Sequence, residues 1–415
     1  HGIAYPRWLP YLYGGYGYPT FVFYQPGYFF LTLALNAIVP DALTATQLAV
    51  LVMFIAGGIG MLLLVREFCD TFSSWAAAAW FLLTPYLFVN LHVRGDLSEL
   101  LSIVLTPWPL LFLSRLYRAV RQDAATWPWL GLTALAFAGI VLAHPFTALF
   151  YYPTFCVIAL AWTWGEHGRA QQFRILLLAA TTVGLAVLLS SPYWLPAALL
   201  RHEVQLAAAI EAPRNQIATH LVYPGQLVSR YWNFGISQAG ADDTMSMALG
   251  LPHLLAAIVG CAWAIARGRR LWVLYAMLYA AMIFMMLPPS LPIWNHVPGL
   301  RIVQFPWRML AVIAPLQALC LAGLGVPPGT LPPRRLVFGI CVGLLLAAGW
   351  YAPQFRAVRE LRDVRAWLRD FPAERLRRSY IYACENEFLP ITARAPLSPR
   401  GNRPLVEVEH LDCAI

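Results

Sequence analysis

ATQLAVLVMFIAGGIGMLLLV, residues 45–65, carries no charge, and Thr46 and Gln47 are its only polar members. An α-helix rises 1.5 Å per residue, so about 20 apolar residues cross the ~30 Å hydrocarbon core of a bilayer. This stretch has that length and that character. Outward from it the pattern repeats, at approximately 72–90, 98–116, 128–143, 147–163, 175–193, 246–266, 271–287, 306–325 and 336–352. The weak ten-residue alternation of an outer-membrane barrel is not found. The chain therefore reads as an all-α, polytopic integral membrane protein with about ten spanning helices.

Composition agrees. Of the 415 residues 60% are hydrophobic and 12% charged, with mean hydropathy +0.60, whereas soluble domains carry about 25% charged residues. The formal charge is +9, and every basic side chain is Arg. These Arg residues are scattered through loops rather than gathered on one face, which argues against a nucleic-acid partner. The seven cysteines, Cys69, Cys156, Cys261, Cys320, Cys341, Cys384 and Cys413, form no CxxC pair, so a zinc or redox site is not indicated. Cys384 and Cys413 can pair if the tail is oxidised. The chain starts at His1 in a loop-like aromatic stretch, and it reads as a fragment lacking an N-terminal helix.

Arg placement gives the orientation. Arg66, Arg115, Arg118, Arg121, Arg169, Arg174, Arg267, Arg269, Arg270, Arg334 and Arg335 fall in or beside alternate short loops. The intervening longer loops hold few. The short loops are expected on the cytoplasmic side and the long ones outside. The outer set is 1–44, about 91–97, the turn at His144, 194–245 and 288–305. Three regions follow: an outer loop 1–44 containing an interfacial helix at Gly27–Val39, a transmembrane domain 45–352 with the outer loop 194–245, and a C-terminal amphipathic helix and tail 353–415. Alternation puts that tail outside. The basic stripe of Gln354–Arg378, with Val358, Leu361, Val364, Leu368 and Phe371 on one face, favours the cytoplasmic surface, but moving the tail there needs one helix more or fewer, and the tail is kept outside.

Ionisable residues are nearly absent from the helix interiors. They gather at outer ends: Asp96 and Glu99, His144, and Arg308, with His253 about two turns inside the seventh span. A charge at the bilayer centre costs at least ~2.5–3.5 kcal/mol, and ion-coupled transporters accept that cost near the midplane. This distribution points instead to a site at the outer face. In Arg94-Gly95-Asp96-Leu97-Ser98-Glu99 the two carboxylates are three apart and share a helix face. They are a pair that binds a divalent cation or a sugar hydroxyl, or else an acidic helix start. Arg94 is their ion-pair partner or a phosphate ligand. Arg308, in Gln304-Phe305-Pro306-Trp307-Arg308, either grips a phosphate with its fork or snorkels to headgroups. His144 is a candidate acid or base. The loop 194–245 is long enough to cover a substrate.

The N-terminal stretch Tyr5-Pro6-Arg7-Trp8-Leu9-Pro10, Gly14-Gly15-Tyr16-Gly17-Tyr18-Pro19, Phe23-Tyr24-Gln25-Pro26 alternates fixed and permissive backbone with aromatic rings. Such rings suit the interface belt. Arg7, Trp8, Tyr18 and Tyr24 also suit stacking on a sugar or covering a prenyl chain.

The run YPRWLP…GGYGYPTFVFYQP, followed by RGDLSE, AHPFTALF, QFPWRM and a late ENEFLP, resembles a family of bacterial membrane proteins labelled 6-pyruvoyl-tetrahydropterin synthase-related. The resemblance covers essentially the whole chain. That family is similar in layout to the polyprenyl-phosphate-dependent glycosyltransferases of the GT-C fold. The resemblance implies a first helix followed by a large outer loop, with Gly27–Val39 as an interfacial helix of that loop. It also implies a catalytic acidic residue early in the loop, in the part that would precede His1. The implied activity is an inverting transfer of a sugar from a polyprenyl-phosphate carrier, in the bacterial inner (plasma) membrane. The implied partners are a lipid-linked sugar donor and membrane lipids. Asp96, Glu99 and His144 are then catalytic candidates, while Arg7, Trp8, Tyr18, Tyr24, Arg94 and Arg308 are substrate-binding candidates. No metal ligands are assigned, and a divalent cation is the one cofactor considered. The competing reading is a non-catalytic transporter or assembly scaffold for lipid-linked glycans. An ion-coupled transporter is disfavoured by the empty helix interiors.

Overall fold

Residues 45–65 form the middle of α3 (Ala42–Arg66), which starts where the Asp41 carboxylate accepts the Thr44 backbone N–H at 2.9 Å. The computed structural model describes residues 5–10, 17–163, 168–212, 215–230, 237–243, 245–297 and 299–352. The C-terminal amphipathic stretch with Cys384 and Cys413, and Gly14, Gly15, Tyr16 and Arg214, lie outside the described residues. Before α3 come α1 (Thr20–Phe23) and α2 (Gly27–Asn36). After it come α4 (Thr71–Leu82), α5 (Pro85–Phe88), a π-helical turn Val89–Arg94, α6 (Leu97–Leu105), α7 (Pro107–Arg121), α8 (Trp127–Ala143), α9 (Pro145–Thr163) and α10 (Arg169–Leu200). Then follow α11 (Leu206–Glu211), α12 (Pro224–Val228), α13 (Leu251–Ala266), α14 (Leu271–Met286), α15 (Leu291–His296), α16 (Leu310–Leu321) and α17 (Arg334–Tyr351). Among the described residues there is no β-strand, only an isolated antiparallel bridge between Leu9 and Tyr18.

Among the described residues six helices are long and apolar enough to cross a membrane, or up to eight if each of two bent pairs is one span. The protein is an all-helical membrane protein by that measure. The bends have local causes. α4 and α5 meet at 43° before Pro85, and α14 turns by 88° at Pro288, because proline removes a donor and restricts the residue before it. α8 and α9 are separated by His144 in extended conformation (φ −160°, ψ 102°) ahead of Pro145.

The chain divides into two compact units. The first contains residues up to Tyr24 and Tyr193–Glu211, and the second Gln25–Pro192 and Ala212–Ala357. α2 thus belongs with the spanning helices, and the 194–245 segment is shared between the units.

Within the second unit α16 is buried along its whole length, as a helix apolar on every side must be. α13 packs across it where Gly260 has no room for a Cβ: one would meet the backbone of Cys320 and Leu321. One end of this unit is rich in charge. Glu67 pairs with Arg115 at 3.3 Å and also with Arg118. Asp70 caps α4 through Ser73 N (3.0 Å) and accepts Val326 N at 3.1 Å. His253 lies in the first turn of α13 rather than two turns inside a span, because that helix begins only at Leu251. Its two ring nitrogens meet Tyr351 Oη and Trp80 O, each at 3.0 Å. With both nitrogens engaged it is a satisfied buried histidine.

Candidate functional site

α6 begins at the first of the acidic residues. Asp96 is its N-cap, and its Oδ1 accepts the Glu99 backbone N–H at 2.9 Å. The helix-start role expected for this pair is therefore real, but it uses only one oxygen of Asp96. The preceding Gly95, at φ +64°, ends the π-helical turn and reverses the chain so that Arg94 folds back over the start of α6. Its Nη2 donates to Asp96 Oδ2 at 2.9 Å, and its Nη1 donates to Glu99 Oε2. The same Nη1 reaches Tyr86 Oη at 3.0 Å and Asn90 Oδ1, and Tyr86 Oη donates to Glu99 Oε1 at 2.9 Å. Glu99 is fully buried. An unpaired charge there would be costly, and Arg94 with Tyr86 is what allows it. Of the two roles open to Arg94, the ion-pair role is the one the geometry displays.

His144 arrives from the α8–α9 junction. Thr147 N donates to its Nδ1 at 3.3 Å, and Thr147 Oγ1 lies 2.9 Å from the same nitrogen. Thr147 Oγ1 also receives Ser102 Oγ at 2.9 Å, and Ser102 lies one turn after Glu99 on α6. This relay of hydroxyls ties the histidine to the acidic helix. Ligand atoms of Asp96, Glu99 and His144 all lie within 4.8 Å of one another, close enough to share one small cation. Both carboxylates already hold Arg94, so a metal can sit there only if that guanidinium moves.

Arg308 completes the group from the lead-in to α16. Its Nη1 donates to Val303 O at 2.7 Å, and the guanidinium lies over the rings of Phe146 (4.4 Å) and Phe305 (5.0 Å). The residue before that segment, Gln304, takes φ +61°, rare for a non-glycine residue. Trp307 lies under Arg94, its ring centre 4.5 Å from the guanidinium carbon, and meets the Tyr86 ring edge to face with centroids 6.4 Å apart. Part of the 194–245 segment reaches the same place: His220 packs edge-on against Phe305 at 4.7 Å and is tied through Ser237 (3.0 Å) to Asp243.

Burial and charge act in opposite directions here. Burial by itself would push the Asp96 carboxyl up, but the nearby guanidinium of Arg94, with help from Arg308 and the Glu99 backbone N–H, outweighs it and holds the group below its ordinary value. Burial lowers the His144 pKa, with Glu99 and Asp96 opposing it, so the ring is neutral near pH 7. The centre then sets two guanidiniums against two carboxylates and a neutral imidazole. Three buried donors in it have no partner: Asn90 Nδ2, Trp307 Nε1 and Arg308 Nε. Each lacks an acceptor, which is the need an anionic oxygen meets.

Five of the nine residues singled out in the sequence are thus gathered: Asp96, Glu99, His144, Arg94 and Arg308. Arg7, Trp8, Tyr18 and Tyr24 lie in the first unit. There Leu9 and Tyr18 exchange backbone hydrogen bonds at 2.9 and 3.1 Å, Tyr5 Oη donates to Phe21 O at 2.6 Å, and Arg7 lies over the Tyr5 ring at 5.0 Å. Gly17 (φ +85°) leaves room for the Trp8 indole, which a Cβ would strike. Tyr18 is buried and Trp8 is exposed. Tyr86, Asn90, Ser102, Thr147, Trp307 and His220 were not singled out. Asn90 was findable, since it is a polar residue inside an apolar run one helical turn before Arg94.

Compared with known proteins, the chain matches no family model, no curated protein and no solved structure.

Proposed function

We propose that the protein is a membrane glycosyltransferase of GT-C-like layout that moves a sugar from a polyprenyl-phosphate carrier at the outer face. The observation that carries this reading is the buried group of Arg94, Asp96, Glu99, His144 and Arg308 with its three unpartnered donors. In such a transfer the bond from the sugar's anomeric carbon to the carrier phosphate breaks as the acceptor oxygen bonds to that carbon. The phosphate leaves with the electron pair, and a base takes the acceptor's proton. Arg308, held by Val303 O but with Nε unspent, supplies positive charge for the leaving phosphate. His144, neutral and beside both carboxylates, can take the proton. The layout supports the reading too. Six to eight helices long and apolar enough to span a membrane, with the shorter apolar helices α2, α8 and α13 beside them, are compatible with such a layout.

The test is the affinity of a polyprenyl-phosphate analogue for the purified protein in nanodiscs. Arg308→Ala should nearly abolish binding. Arg308→Lys, which keeps the charge and loses the fork, should weaken it by about tenfold, the worth of one charge-assisted hydrogen bond. Equal affinities in all three proteins would make Arg308 an interfacial anchor and remove the proposed phosphate site. One observation favours a second reading. Glu99 is saturated by Arg94 and Tyr86, which suits a transporter or scaffold that holds a lipid-linked glycan without chemistry. Analogue binding without any transfer would decide for it.

A further inference from the structure

A second feature involves no residue of this centre. Between α3 and α4 runs an open groove of about 310 Å³. Its walls are Ile55, Ile59 and Leu62 on α3 and Trp75 and Leu82 on α4, and Gly58 forms part of its floor. These positions recur at helical spacing, so each helix contributes one stripe. The α3 stripe continues by one turn from Leu62 to Arg66, which is exposed and has no ion-pair partner among the described residues. The α4 stripe continues back from Trp75 to Thr71, also exposed. The groove is thus apolar along its length and ends, at the charge-rich end of the unit, in a cation, a hydroxyl and an indole.

We propose that this groove binds an acyl chain of an anionic phospholipid, with the lipid phosphate on Arg66. Its length fits. From Phe54 to Leu62 α3 rises about 12 Å, close to the ~15 Å depth of one leaflet's hydrocarbon. The position of the charge fits as well, because a single Arg at the membrane surface attracts anionic lipid by about fivefold. A second helix is a poorer occupant. Helices that approach closely in a bilayer do so over small residues spaced four apart, but Gly58 is flanked at that spacing by Phe54 and Leu62. Ile55 and Trp75, 51% and 62% exposed, stand at the mouth and keep another backbone away. The two other glycines of the run do not serve the groove, since Gly57 faces Val104 and Phe81, and Gly60 faces Trp108. The proposal does not rest on the glycosyltransferase reading.

Native mass spectrometry of the full chain released from detergent tests it, with phosphatidylglycerol and phosphatidylcholine of matched chains as probes. The parent should retain phosphatidylglycerol about fivefold over phosphatidylcholine. Arg66→Gln should bring that ratio to one while a lipid is still retained. Gly58→Leu should lower retention of both lipids by filling the groove, where even a Cβ meets the Leu82 side chain. If that variant does not fold, Trp75→Ala, which removes an exposed wall, should do the same. Equal retention of the two lipids by the parent overturns the proposal. So does cross-linking of Ile55→Cys between two copies in native membranes, which would show the groove covered by a second chain.

Discussion

Arg94 and Glu99 stabilise each other's burial, and the consequence can be measured. Removing one partner of a buried ion pair costs about 3–5 kcal/mol, because the other charge is left uncompensated. Glu99→Gln should therefore lower stability by about 3 kcal/mol in thermal unfolding of the purified protein, even though Tyr86 keeps an amide oxygen to donate to. Arg94→Gln leaves both Glu99 and Asp96 without their cation, so the double variant should lose less than the sum of the two single losses. A Glu99→Gln protein as stable as the parent, or a double variant whose loss equals the sum of the singles, would show that the pair contributes nothing to folding. At this scale the sequence located the acidic helix start and was silent about how its residues bond. RGDLSE announces an acidic helix start, and Asp96 is one. That Arg94 turns back onto both carboxylates depends on a left-handed Gly95 and on Tyr86 and Trp307, which come from other segments.

The elements show where reading by length succeeds and where it stops. Long apolar runs were legible, and α3, α9, α10 and α17 lie where they were expected. Breaks inside runs were not, because hydropathy does not register a turn. The expected span 72–90 is α4, a bend at Pro85, α5 and a π-helical turn. The π turn has an element-level cost that can be isolated at Gly95. A Cβ there meets nothing within 4 Å, so Gly95→Ala carries only the backbone penalty of the left-handed conformation, about 1–2 kcal/mol. Gly95→Asn should lose less than Gly95→Ala, since Asn tolerates that region better. Thermal unfolding of the three proteins checks the order. An Ala variant as stable as the parent would mean that the turn relaxes and that Arg94 is not fixed by it.

For the whole molecule, orientation is the prediction with the widest reach. With native cysteines replaced, Gln122→Cys and Arg267→Cys should be protected from an impermeant thiol reagent in intact cells. Glu203→Cys and Gln238→Cys should react. All four positions are exposed, so labelling reports the side of the membrane, and the reverse pattern would move the proposed site to the cytoplasm. The ion-paired centre also bears on how the chain enters the bilayer. Arg94 pairs with partners only two and five residues ahead of it, so three charges can pass the insertion machinery as one local knot with a single negative charge in excess. Arg308 is made much later and finds a cluster already assembled. Synthesis from the N-terminus thus delivers the costly charges first, already paired but with one negative charge in excess, and adds last the cation that balances them.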